Sequence, residues 1–190
     1  MKDYCDHVLE SYTYPNQLKT LVKALLNYGG YAQIQFNANT DHLANKDLDD
    51  IDVSDVTTNM LKTYERVVSG SQAGISLAGT TLTLNSCTTI KHYFKVDDGH
   101  DIHEFTFMKD GNEITPVESG SLYYVEILNI TSKDLDTAYT VTVGNNFTIR
   151  YSALSYAYTQ LNKSTASESL KNTCRALYKY NQASNAYFGE

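Results

Sequence analysis

The sequence has no tryptophan, only three cysteines, and fewer basic than acidic side chains, 15 Lys and Arg against 22 Asp and Glu. Each shortage removes a class of protein. Cys5, Cys87 and Cys174 are far apart, odd in number and without a CxxC pair. That excludes a disulfide-stapled scaffold and a thiolate zinc site, and predicts free, buried thiols. The net charge of -7 sets up a field that repels nucleic-acid phosphates and anionic membrane surfaces. No apolar run is long enough to span a bilayer, and Met1 to Ser11 carries no apolar signal-peptide core. The expectation is a chain that binds no nucleic acid and inserts into no membrane, either cytosolic or cut from a longer secreted protein.

What is abundant is tyrosine, 16 residues beside 6 Phe, in a chain that is 42% hydrophobic and 19% charged. Such a composition fits an ordinary globular core of one large or two small domains. A Tyr-rich surface suits strand pairing and polar ligand contact.

Periodicity divides the chain. Leu18, Leu21, Val22, Leu25 and Leu26 fall on one helix face, continued by Gly29, Ala32 and Phe36, so Leu18–Phe36 reads as a long amphipathic helix. Its Gly29-Gly30 pair costs about 1 kcal/mol per glycine relative to Ala, which close approach of a neighbouring element would offset. Shifting the sequence by 152 positions aligns 1–38 with 153–190 without a gap. Tyr4/Tyr156, Leu9/Leu161, Thr13/Thr165, Leu18/Leu170, Lys19/Lys171, Ala24/Ala176, Leu25/Leu177, Tyr28/Tyr180 and Phe36/Phe188 are then identical. Both ends therefore read as one unit, a short helix, a turn and a longer helix, with Thr13 and Thr165 as candidate N-caps and Glu168 completing a capping box.

Between the copies the pattern changes twice. From Asp41 a stretch with six Asp and one Lys reads as a solvated connector; its Asp47-Leu48-Asp49-Asp50-Ile51-Asp52 core could be taken for a cation site. From Tyr64 to Tyr151 the alternation of β-branched and aromatic residues predicts short strands, among them Tyr64–Val68, Ile102–Met108 and Glu113–Val117, with hairpin turns at Asp110-Gly111 and Gly144-Asn145-Asn146 and a third turn at Asp97-Asp98-Gly99. The segment Asp134 to Val141 has the look of the approach to a tyrosine corner. The predicted fold class is α+β: an antiparallel β-sandwich of immunoglobulin or fibronectin type flanked by two repeated helical hairpins. The divisions are 1–40 (helical hairpin, first copy), 41–63 (acidic connector), 64–151 (β-sandwich) and 152–190 (helical hairpin, second copy).

Three stretches carry a resemblance. The first is Leu21 to Gln33 with Phe36 and then Asn39-Thr40-Asp41-His42-Leu43-Ala44-Asn45, matching a helix that ends in YGxxAQ and YF and is followed by NTDxLAN. The second runs from Ile75-Ser76-Leu77 to Tyr93-Phe94, and the third takes in Tyr123 to Ile127, Asp134-Leu135 and Tyr151 to Leu154. On these residues the chain resembles a recurrent, uncharacterised extracellular module of large surface and cell-wall-associated proteins of anaerobic Gram-positive bacteria. The second helical copy departs from the pattern, with Asn181 and Gln182 at the glycine positions and Asn185 for Gln33. The resemblance implies an extracellular or cell-wall location and neighbouring modules of the same polypeptide as partners. It brings no catalytic or binding residue with it.

Candidate chemistry is sparse. His92, Asp98, His100, Asp101 and His103 offer the ligand types of a zinc site, although a charged β-turn at a strand end produces the same letters. Asn37, Asn39 and Asp41 alternate as in a calcium loop, but His42 and Leu48 stand where that loop needs Gly and Glu. No GxSxG elbow or Cys–His signature marks a nucleophile. Tyr123-Tyr124, Tyr156/Tyr158 and Tyr178/Tyr180 could serve as sugar-stacking platforms or lie half in the core. The sequence thus predicts a noncatalytic module without a cofactor, a structural spacer or adhesion element that touches a glycan or another surface protein. A carbohydrate-binding module and a metal-dependent hydrolase are the alternatives.

Overall fold

The computed structural model describes residues 2–48, 52–84 and 87–189. Asp49, Asp50 and Ile51, the middle of the acidic run, lie outside the described residues. The chain forms two compact units: residues 1–63 with 157–190, and residues 64–156. The second is therefore an insertion between the two halves of the first.

The helical unit contains α1 (Lys2–Glu10), α2 (Asn16–Phe36), α3 (Thr58–Leu61), most of α4 (Ala153–Asn162) and α5 (Glu168–Phe188). The helices α2 and α5 have equal length and begin and end 152 residues apart, as the repeat predicts. Leu21, Val22, Leu26, Asn27 and Gly30 form the buried face of α2. On one side Val22 and Leu26 join Cys5 and Val8 of α1. Toward α5, Tyr28 stacks on Tyr180, centroids 5.8 Å apart and planes 10° from parallel. Further along, Thr173 Oγ1 donates to the Tyr31 carbonyl at 3.0 Å, and Ser169 Oγ donates to Gln35 Oε1 at 2.7 Å. The C-terminal turn of α2 thus lies beside the N-terminal turn of α5, and the two run antiparallel.

Two expectations about these helices are corrected. Neither Thr13 nor Thr165 is the N-cap: α2 starts behind Pro15 without a side-chain cap, and α5 starts behind Ser167, whose hydroxyl accepts from the Leu170 N–H at 3.2 Å. Phe36 and Phe188 are not core residues. Each is the last residue of its helix and more than half exposed, although each lies on its helix's apolar stripe.

The connector is not simply solvated. Gln33 Nε2 donates to the carbonyls of Asn39 (3.1 Å) and His42 (3.0 Å), and its Oε1 accepts from the Ala44 N–H (2.7 Å). This draws the chain back over the glycine pair, where a Cβ on Gly29 would meet Ala44 at 3.3 Å and one on Gly30 would meet Asn45 Oδ1 at 2.1 Å. Val53 and Val56 are buried, and Lys179 pairs with Asp55 at 2.7 Å.

Among the described residues the inserted unit holds nine strands in two antiparallel sheets. One has the order β1 (Val67–Ser69), β9 (Phe147–Tyr151), β8 (Tyr139–Val143), β4 (Phe107–Lys109), β5 (Asn112–Ile114); the other runs β2 (Ile75–Leu84), β3 (Thr88–Val96), β7 (Leu122–Ile130), β6 (Val117–Ser119). The inner faces meet in one sandwich-like layer: Phe94 of β3 packs edge-on against Phe107 of β4 (5.2 Å) and Phe147 of β9 (6.4 Å). The turns fall where expected. Asp110 and Gly111 both take positive φ (48° and 85°), a two-residue type I′ hairpin between β4 and β5. The predicted strand Ile102–Met108 is instead a short 3-10 turn, Ile102–Glu104, followed by β4, and Glu113–Val117 is split into the ends of β5 and β6. Tyr64 sits in a 3-10 turn ahead of β1.

Candidate functional site

The five residues offered as metal ligands separate into two environments. His92 lies on β3, where alternation points Ile90, His92 and Phe94 inward and Lys91 and Tyr93 outward. It is fully buried. Nδ1 shares a 2.8 Å hydrogen bond with Thr80 Oγ1 of β2, the ring stands perpendicular to Tyr151, and Nε2 has no partner. Burial, helped by the charge of Arg66, pushes its pKa down to about 4, so the imidazole is neutral at physiological pH.

Asp98, His100, Asp101 and His103 lie in the loop after β3. Asp101 caps the 3-10 turn: its Oδ1 accepts from the His103 N–H at 2.9 Å while Glu104 Oε1 accepts from the Asp101 N–H at 3.1 Å. His100 Nδ1 bonds Glu104 Oε2 at 2.8 Å, and this bond, followed by the Asp101 N–H, holds the Glu104 carboxyl below the usual range. The side chains of His100, Asp101 and Glu104 are thus engaged with the turn and with one another. Among the described residues no three His, Cys, Asp or Glu side chains gather in ligand geometry. Of the residues compared with a calcium loop, Asn37 and Asn39 take left-handed backbone, and the Asn39 carbonyl accepts from Gln33 Nε2.

The thiols are free, Cys5 and Cys174 buried and Cys87 half-buried. Burial pushes Cys174 up to about 12 and raises Cys5, so neither is a thiolate at neutral pH.

The outer face of the four-stranded sheet is chemically different. Register places Gly79 of β2 opposite Tyr93, Tyr93 opposite Tyr124 of β7, and Tyr124 opposite Val117 of β6. The two tyrosine rings lie 5.4 Å apart and tilted by 46°. One pair further along, Lys91 Nζ reaches Glu126 Oε1 at 2.6 Å and stands 4.2 Å from the centre of the Tyr124 ring. Gly79 follows a β-bulge, and a Cβ there would meet nothing within 4 Å. Tyr123 and Tyr124 do not share a face, because consecutive strand residues alternate. The pairing with Tyr93, 31 positions upstream, depends on strand register and leaves no local mark in the sequence. Tyr180, also considered for stacking, is spent on Tyr28. Compared with protein-family models, curated proteins and solved structures, the chain matches none. No helix among the described residues is long and apolar enough to cross a membrane.

Proposed function

We propose that the chain is a noncatalytic module of a multi-modular bacterial surface protein, serving as a spacer and adhesion element outside the cell. In this reading α1–α2 and α4–α5 are two copies of one helical hairpin, and the insert is a sandwich of immunoglobulin type. The strand order supports the second point. Read in chain order as A, B, C, C′, D, E, F and G, β2 to β9 give the sheets A-B-E-D and C′-C-F-G, with β1 added beside G. Phe107 against Phe94 takes the place of the Trp and disulfide that antibody domains pack there. The Gln33-centred loop gives the YGxxAQ and NTDxLAN stretches a folding role, which suits a recurrent building block.

The observation that carries the noncatalytic reading is the fate of the reactive side chains. His92 is sealed and neutral, Asp101 and Glu104 close a turn, and two thiols are buried and protonated, whereas the accessible unusual chemistry is a tyrosine pair on a sheet face. A panel of esterase, glycosidase and peptidase substrates, run with and without added zinc, manganese and calcium, is expected to give no turnover. Metal-dependent turnover abolished by His100→Ala or His103→Ala would overturn the proposal in favour of a hydrolase.

A further inference from the structure

The geometry points to the outer face of the β2-β3-β7-β6 sheet as a binding strip for a neutral oligosaccharide, with Tyr93 and Tyr124 as stacking rings and Gly79 as the open floor beside them. This rests on the adhesion part of the reading above and gives it a ligand class. Glycine in a strand interior weakens the strand, and it is usually explained by a positive φ or by a crowding neighbour. Gly79 has neither: its φ is not in the left-handed region and the space above it is open. What its missing side chain does accomplish is to leave Tyr93 approachable from the β2 side, at a bulge that re-aims the strand.

Across the strands the row Gly79, Tyr93, Tyr124 and Val117 extends about 14 Å at the ordinary inter-strand spacing. Pyranose rings present C–H bonds of slight positive charge on their faces, complementary to the negative face of a phenol ring, and hydroxyls around their rims for Lys91 and Glu126 to meet. Lys91 Nζ stands 4.2 Å from the centre of the Tyr124 ring, so a sugar stacking on that face takes the place of the ammonium, which keeps Glu126 as its partner at 2.6 Å.

Competing ligand classes fit less well. Nucleobases also stack on tyrosine, but the net charge of -7 opposes their phosphates and the local Lys91–Glu126 pair is neutral. The same argument disfavours polyanionic glycans. A protein partner needs about 800 Å² on this side for a stable interface, and two half-buried rings with a glycine and a valine offer a few hundred at most.

The test uses the full chain against neutral chito-, cello-, xylo- and malto-hexaose by isothermal calorimetry. At least one probe is expected to bind in the micromolar to millimolar range, and Tyr93→Ala and Tyr124→Ala should each weaken it at least tenfold. Gly79→Leu, whose side chain enters open space, should do the same with an unchanged thermal midpoint; it keeps the test valid if a tyrosine variant fails to fold. Tyr139→Ala, on the other sheet, should bind as the parent does. Binding of none of the probes at 10 mM, or equal binding by Gly79→Leu, would overturn the site. Either result leaves the absence of turnover, and so the noncatalytic reading, to stand or fall on its own assay.

Discussion

His92 is the residue on which the pH behaviour of the inserted unit turns. Its pKa falls from 6.5 to about 4 on folding because burial disfavours the cation. Between those values the unfolded chain binds a proton that the folded chain does not, so stability falls as pH drops from 6.5 and the loss is complete below 4. That difference is worth about 3 kcal/mol. Urea unfolding at pH 7.0, 6.0 and 5.0, above the range where carboxylates such as Glu104 and Glu168 begin to lose their depressed-pKa contributions, should show the decline, and His92→Phe should flatten it. A parent whose stability is level from pH 7 to 5 would contradict the assignment. The two glycines of α2 make a sharper comparison. Gly29→Ala gains helix propensity of about 1 kcal/mol against a mild 3.3 Å contact and is expected to be neutral or slightly stabilising. Gly30→Ala must displace Asn45, whose amide donates to the buried Asn27 at 3.1 Å, and is expected to cost about 1–2 kcal/mol net. Thermal melts of the pair should diverge by several degrees.

At the scale of the elements, the helix ends report which local chemistry won. Three hydroxyl residues precede α5 within a short stretch, and only Ser167 reaches an orphan N–H. Ser167→Ala should therefore cost about 1 kcal/mol, while Thr165→Ala should leave the melting midpoint unchanged. This is where legibility stopped. Both long helices, their 152-residue relation and the Asp110-Gly111 turn were readable because they follow from periodicity and from residues that tolerate positive φ. The cap was not, since Thr165 with Glu168 satisfied the same pattern as the real solution. Ile102–Met108 read as a strand because it is rich in β-branched and aromatic residues, but Asp101 and Glu104 capture backbone N–H groups and close a turn. The glycine pair was legible as a place of close approach; that the visitor is the Asn39–Asn45 loop, tied down by Gln33, was not, because those bonds run to backbone groups, two carbonyls and one N–H, which any residue carries. The candidate strip was half visible. Tyr124 stood out as one of a doublet, yet its working partner lies on another strand.

For the whole molecule, the decisive feature is that like residues meet. Tyr28 and Tyr180, equivalent under the 152-residue shift, stack on each other, and α2 and α5 run antiparallel, the arrangement of an isologous contact. A face used in this way joins two copies and no more, so a string of such modules would have to extend through other surfaces. The 93 residues 64–156 are inserted in the chain between the two parts of the helical unit, and within that unit α2 and α5 pack on each other. Native-state hydrogen exchange on the full chain with Tyr180→Ala tests this most directly. The account predicts that amides of α2 and of α5 lose protection together, as one cooperative unit. Loss confined to α5, with α2 protected as in the parent, would contradict it.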